Sequence, residues 1–97
     1  MKIITLLPLV GSFAENKDIA RDIRIKKIIP EVKQKREVAL DFAGIEATTQ
    51  SFIHALISDL IRSYGSDVLE VLYFKNCNET VQKIITIVVD YMQESER

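Results

Sequence analysis

The chain has 97 residues, which corresponds to one domain by length, and we treat residues 1–97 as a single unit. Its net charge is −1, and its hydrophobic content of 47% is ordinary for a globular protein. No apolar run approaches the ~18 residues that a membrane-spanning helix needs. The single cysteine, Cys77, cannot form an intramolecular disulfide. These properties argue against a membrane span and against a fold that depends on disulfides.

The first predicted element is the apolar N-terminal stretch MKIITLLPLVGSF. Its apolar part is short for a signal peptide and continues into sequence with a structured pattern, so we interpret it as a strand near residues 2–7. Pro8 lacks an N–H group, which places the end of this run at a sheet edge or a bulge. Without an export signal, the reducing cytoplasm is the expected location.

The second element is a basic helical pattern that spans about residues 15–35. Residues 17–36 hold eight Lys and Arg against three Asp and Glu. Pro30 predicts a bend or break, and one apolar stripe has helical spacing: Ile25, Ile28, Ile29 and Val32. A basic face could meet an acidic partner or nucleic acid, although a solvated surface is the commoner interpretation. No aromatic residues interleave with the bases, which argues against a nucleic-acid binder.

The run VALDF at 38–42 predicts the second strand. Val38, Ala39 and Leu40 are apolar without alternation, which is typical of a central strand covered on both faces. A helix follows from about 49 to 64, and Gly65 is well placed to end it. Its unbroken apolar stripe consists of Ile53, Leu56, Ile57, Leu60, Ile61 and Tyr64.

The run VLEVLYF at 68–74 predicts the third strand, and a helix follows from about 78 to 93. Asn76 or Asn78 is the expected N-cap of that helix. Ile87 and Val89 lie off its main apolar stripe. This indicates a second contact, either within the fold or across a homodimer.

Strand-like runs that alternate with helical patterns predict an α/β fold in the order β-α-β-α-β-α, because parallel strands need crossover helices. We expect a small, mainly parallel sheet of three or four strands with three helices. The strand at 38–42 should lie in its interior.

The segments LVGSF, DIARDIR, VALDFAGIEATTQSFIHALI and LYFKNCNETVQKII, in this order, resemble the STAS domains. This is the fold of anti-sigma factor antagonists and of sulphate-transporter cytoplasmic tails. The chain is most similar to the small bacterial STAS-like domains of unknown function, over about residues 9–92. The resemblance implies a non-enzymatic regulatory module that switches protein partners. It also implies the partner, which would be a histidine-kinase-like ATPase, a kinase or another effector.

In the antagonists the loop before the second helix usually reads Asp-Ser-Ser-Gly, and a partner kinase phosphorylates its second serine. Here the aligned stretch is Thr49-Gln50-Ser51-Phe52. Ser51 falls on the phosphorylated serine, while Thr49 replaces the aspartate and Phe52 the glycine. The resemblance therefore implies Ser51 as a candidate phosphorylation switch within an altered motif.

From the residues alone, the hydroxyl of Ser51 could equally cap the helix, and two threonines compete with it for that role. Phosphorylation would add about −1.5 to −2 charges, and a helix N-terminus would tolerate that charge. Our candidate partner surface consists of Thr48, Thr49, Gln50, Ser51 and His54.

We expect no enzyme, cofactor or metal. GIEATTQSF is not the Gly-x-Ser-x-Gly nucleophile elbow, and His54, three residues after Ser51, has no evident orienting acid. One Cys and one His give no metal-ligand cluster, and the dispersed glycines form no phosphate loop. Cys77 is expected to pack at a strand-to-helix turn, although exposure at the helix start would lower its pKa.

Two further hypotheses remain open at this point. The chain could be a small immunity or inhibitor protein, such as a toxin antidote or a phage-borne protein, that masks a toxin or a defence protein. It could also bind nucleic acid through its basic first helix.

Overall fold

Three short parallel strands form the main sheet in the computed structural model, which describes residues 1–95. They are β1 (Lys2–Thr5), β3 (Val38–Asp41) and β5 (Leu72–Lys75), in the order β1-β3-β5. A second sheet pairs β2 (Phe13–Ala14) with β4 (Ala47–Thr48), also in parallel. The predicted α/β fold with a small parallel sheet and a central strand at 38–42 is confirmed. The sequence did not indicate the second sheet.

The helices are α1 (Leu7–Val10), α2 (Lys17–Ile23), α3 (Ile29–Lys33), α4 (Gln50–Tyr64) and α5 (Glu79–Ser95). A π-helix at Arg24–Ile28 joins α2 to α3, and a 3-10 helix at Ser66–Glu70 precedes β5. The first and third predicted strands, at 2–7 and 68–74, are therefore longer than the observed β1 and β5. Residues 7–10 are helical, with Pro8 in the first turn where its missing N–H breaks no hydrogen bond. Residues 68–70 belong to the 3-10 helix rather than to the strand.

The main sheet is open on one face, which corrects the expectation that β3 is covered by helices on both. Val38 and Leu40 point into the main hydrophobic core, whereas Ala39 is buried but does not belong to that cluster. In register beside Ala39 lie Ile3 on β1 and Tyr73 on β5, and both remain exposed. The small alanine side chain is therefore covered by its two neighbours, and no second layer of helices is needed to bury it.

The first helical segment buries the predicted stripe except at its first position: Ile28 and Val32 lie in the core and Ile29 packs against it, whereas Ile25 does not. Ile29 N–H donates to the carbonyl of Arg24, five residues earlier, so each turn of this π-helix takes in one extra residue. The buried positions Ile23 and Ile28 are accordingly five apart, and Ile25, predicted to face the core, is 49% exposed. The π-helix ends just before α3, whose second residue is Pro30. The irregularity expected from Pro30 is thus a widened turn on its N-terminal side.

Helix α4 lies at the centre of the helical layer, between α2 and α5. Its predicted stripe is buried from Ile53 to Ile61, and only the last member, Tyr64, is largely exposed. Gly65 ends the helix with φ +76°, a conformation that favours glycine. The predicted cap of α5 is confirmed for Asn78, whose Oδ1 accepts the N–H of Val81 at 2.8 Å.

Candidate functional site

The N-terminus of α4 is capped by Thr49 and not by Ser51. The side-chain Oγ1 of Thr49 accepts the N–H of Phe52 at 3.0 Å, which satisfies one of the free donors of the first turn. Ser51 is exposed, and its hydroxyl forms no hydrogen bond with any residue in the described part of the chain. The capping role considered for Ser51 is therefore already filled by a neighbour.

The segment that leads into α4 is held from several sides. The hydroxyl of Thr48 is buried and donates to the carbonyl of Ala14 at 2.8 Å, across the β2–β4 pair. From the start of α5, Nδ2 of Asn78 donates to the carbonyl of Glu46 at 2.9 Å. Gly44 has φ +82°, a conformation that favours glycine and strains any residue with a Cβ. Ser51 is thus presented from a rigid scaffold.

These contacts change the membership of the predicted surface. Thr48 is buried and engaged inwards, so it is not available to a partner. Thr49 is half-buried, and its hydroxyl is occupied by the cap. Of the five candidates, Gln50, Ser51 and His54 remain together on the surface, in the first two turns of α4.

We call the cleft that contains these three residues the α4–α5 groove. It has a volume of about 480 Å³, and its lining consists of Lys17, Gln50, Ser51, His54, Ala55, Ile87, Val88 and Tyr91. Ile87 is 48% exposed and Tyr91 is 61% exposed, one helical turn apart on α5. The groove therefore combines a polar rim from α4, a basic residue from α2 and an apolar wall from α5.

A second, smaller cleft continues the groove between α2 and α4. It shares Lys17, His54 and Ala55 with the groove and adds Asp18, Arg21, Arg24, Ser58, Asp59 and Arg62. The carboxylate of Asp59 forms ion pairs with two arginines, with Arg62 Nη1 at 2.8 Å and with Arg24 Nη2 at 3.2 Å. Arg21 lies 3.9 Å from Asp18, in an exposed pair. We call this cleft the basic extension, because its four Lys and Arg outnumber its two acids.

Arg24 is the buried cation of the basic extension, with 8% of its surface exposed. Its Nη1 donates to the carbonyl of Ala55, so the guanidinium joins the π-helix to the middle of α4. Its Nε is buried without a hydrogen-bond partner in residues 1–95. Since a buried cation depends on its partners, we infer that Arg24 fixes the position of α2 against α4.

Within residues 1–95, the hydrogen-bond partner of His54 is Ser58 and not Ser51. Its Nδ1 lies 3.3 Å from the hydroxyl of Ser58, one turn further along α4. Ser58 is buried, and His54 lines both the groove and the basic extension. The Nδ1 atom of His54 is therefore engaged by a residue of its own helix.

Cys77 is half-buried at the turn between β5 and α5, as the sequence indicated. Burial and the nearby carboxylate of Asp41 raise the pKa of its thiol. The lowered pKa that an exposed thiol at a helix start would have is therefore not found. Among residues 1–95, no three His, Cys, Asp or Glu side chains cluster in a way that could hold a metal ion. Within the same residues, no helix has both the length and the apolar character to cross a membrane.

The two residues off the main stripe of α5 have different environments. Val89 is half-buried and packs against the core, whereas Ile87 projects into the groove. The sequence pattern did not distinguish the two residues, and it did not indicate that Lys17, Ile87 and Tyr91 are neighbours of Ser51. The helical spacing of Ile87 and Tyr91 was the available signal, but nothing local to the sequence linked it to α4.

The fold defines a small α/β domain with a parallel sheet, and the site is a surface groove between its helices. A family model described as a STAS-like domain of unknown function (DUF4325) matches residues 20–82, which is more than half of the chain. The chain belongs to this STAS-like family, and the resemblance found in its sequence is confirmed. A search of curated proteins and a search of solved structures each found no match.

Proposed function

We propose that this protein is a non-enzymatic regulatory module that binds another protein through the α4–α5 groove, and that negative charge on Ser51 switches this binding. The observation that carries the proposal is the position of Ser51. Its hydroxyl is exposed and unused by the fold, and it lies on the rim of a groove that has an exposed apolar wall. Such a groove can pack an apolar side chain of a partner against its wall while the rim binds the partner's polar groups.

The local geometry allows Ser51 to be modified without unfolding the domain. Thr49 supplies the helix cap, so the hydroxyl of Ser51 can be esterified while the cap remains. A phosphate at this position would lie in the first turn of the 15-residue helix α4, where the helix dipole favours negative charge. The added charge of about −1.5 to −2 would change the groove and not the core.

The resemblance to anti-sigma factor antagonists supports a partner of the ATPase or kinase type, because Ser51 aligns with their phosphorylated serine. The altered motif around Ser51 means that the modifying kinase would read a different sequence. We place this activity in the bacterial cytoplasm, where a protein with one free thiol is chemically stable.

The proposal is tested by affinity purification of the tagged chain from its source cells, followed by mass spectrometry for partners and for Ser51 phosphopeptides. The affinity of the purified partner is then measured for the parent, Ser51→Ala and Ser51→Asp. Ser51→Asp should weaken binding by more than about 1.4 kcal/mol, a tenfold change. Ser51→Ala should retain binding and lose the phosphopeptide.

Ser63→Asp is the matched control, because Ser63 is exposed on the same helix but does not line the groove. It should bind the partner like the parent. Unchanged partner binding by Ser51→Asp, in a variant that melts within a few degrees of the parent, would show that Ser51 is not a switch.

A further inference from the structure

The α4–α5 groove and its basic extension form one continuous surface with two chemically different ends. The shared residues Lys17, His54 and Ala55 join them. At one end Ile87 and Val88 of α5 are apolar, and at the other end the charged groups are mostly cationic. Resting on the proposed function, we propose that the partner segment bound here is acidic and carries an apolar side chain that packs against Ile87.

The charge balance of the surface carries the first half of this proposal. The α4–α5 groove contains no Asp or Glu among its lining residues, and Lys17 forms no ion pair with any residue from 1 to 95. In the basic extension, Asp59 is shared between two arginines. The whole chain carries a net charge of −1, so the cleft is more positive than the chain as a whole.

The exposed ion pairs do not neutralise that excess. Arg21 is 3.9 Å from Asp18, and both side chains are more than half exposed, so the pair is weak. Arg21 and Lys17 therefore remain able to bind carboxylates from another molecule. The cleft holds four Lys and Arg against two acids, and this excess of positive charge attracts an acidic segment and repels a basic one.

The apolar end of the surface supports the second part of the proposal, which is the apolar side chain of the partner segment. Ile87 is a β-branched side chain that is nearly half exposed on a helix of 17 residues, and Val88 beside it is almost fully buried. An apolar side chain of the partner that packs here would cover Ile87. The apolar surface of Ile87 and that of the partner's side chain would both be removed from water. An acidic segment without an anchor would meet only the charges, which salt screens.

An acidic partner segment also explains how negative charge on Ser51 would weaken binding. Ser51 and Lys17 line the same groove, so a phosphate on Ser51 would attract Lys17 and repel the carboxylates of the partner. The phosphate on Ser51 would thus compete with the partner's carboxylates for Lys17. The switch needs no movement of the backbone.

The test uses three labelled peptides of about four helical turns. They have the same apolar positions, and their polar positions are all Glu, all Gln or all Lys. Fluorescence anisotropy measures their binding to the full chain. The Glu peptide should bind at least tenfold more tightly than the Gln peptide, and the Lys peptide least. The advantage of the Glu peptide should shrink between about 50 mM and about 300 mM NaCl.

Two charge-reversed variants separate the groove from a general effect of charge. Lys17→Glu with Arg21→Glu should weaken binding of the Glu peptide at least tenfold. The matched control, Lys26→Glu with Lys27→Glu, makes the same change of charge at exposed positions outside both clefts and should weaken it less than threefold. Ile87→Ser should weaken it at least fivefold at both salt concentrations.

Equal binding of the Glu and Gln peptides, no binding of the Glu peptide up to about 1 mM, or equal losses in the two charge-reversed variants would each overturn the inference. The proposed function fails separately. If Ser51→Asp does not change the affinity for the purified partner while the Glu peptide still binds the groove, Ser51 is not a switch. The inference of an acidic partner segment is then unaffected. If Ser51→Asp controls a partner whose binding survives Lys17→Glu with Arg21→Glu, only the acidic occupant is wrong.

Discussion

The division of roles between Thr49 and Ser51 gives a direct prediction for Thr49→Ala and Ser51→Ala. Removing the Thr49 hydroxyl leaves the N–H of Phe52 without its acceptor at 3.0 Å, in a partly buried position. Loss of a threonine cap typically costs about 1 kcal/mol. In a domain of about 100 residues, 1 kcal/mol corresponds to a decrease in Tm of about 4–8 °C. Ser51→Ala removes an exposed hydroxyl with no partner in the described chain and should stay within about 0.5 kcal/mol of the parent.

Urea unfolding followed by circular dichroism measures both free energies of unfolding. Thr49→Ser is the control, because it keeps an oxygen at the capping position and should lose less than about 0.5 kcal/mol. Thr49 N–H also donates to the carbonyl of Ala14 at 3.2 Å, a bond that all three variants retain. If Ser51→Ala is destabilised as much as Thr49→Ala, the Ser51 hydroxyl supports the fold and the argument for a free switch residue is wrong.

Three other results can be expected. Asp59→Asn should destabilise the protein by at least about 1 kcal/mol more than Arg24→Met does. Asp59→Asn leaves the charge of Arg24, whose side chain is only 10% exposed, without its carboxylate, whereas Arg24→Met leaves unpaired the charge of Asp59, whose side chain is 47% exposed. Urea unfolding of both variants checks this, and the reverse order would contradict it. Because burial, followed by the charge of Asp41, raises the pKa of Cys77, iodoacetamide should alkylate this thiol more slowly at pH 8 in the folded protein than in urea; an equal rate would show an accessible thiol. If the chain forms a dimer through α5, Ile87→Glu alone should give a monomer in sedimentation velocity, whereas Val89→Lys would disturb the core; a dimer that persists in Ile87→Glu uses another surface.

The elements that the sequence predicted best depend on residues close together in the chain. Helix α4 has an apolar stripe that is buried from Ile53 to Ile61 and a terminal glycine, and both signals agree with the structure, whereas the sequence left its cap open between Ser51 and two threonines. The central position of the strand at Val38, Ala39 and Leu40 was predicted correctly, although the coverage of both faces that its apolar run indicated was not. In both cases the local preference and the tertiary environment favour the same structure.

The features that the sequence missed arise from contacts between distant segments. The β2–β4 pair is held by a buried hydroxyl of Thr48 that reaches Ala14, 34 residues away, and two-residue strands leave no periodic pattern. The π-helix shifts the phase of the first helix, so a regular spacing of 3.6 residues assigns Ile25 to the core incorrectly. The open face of the sheet was concealed because Ala39 is small enough to be buried by its neighbours alone.

The candidate site, too, could be predicted from the sequence only where its residues are close together in the chain. Gln50, Ser51 and His54 could be identified together because they belong to one helix start, whereas Lys17 and Ile87 reach the same groove from α2 and α5. Their meeting depends on how the three helices pack, and the buried guanidinium of Arg24, bound to the carbonyl of Ala55, fixes part of that packing. The groove is therefore a property of the assembled helical layer. A substitution that loosens Arg24 should alter the α4–α5 groove even though the side chain of Arg24 does not line it.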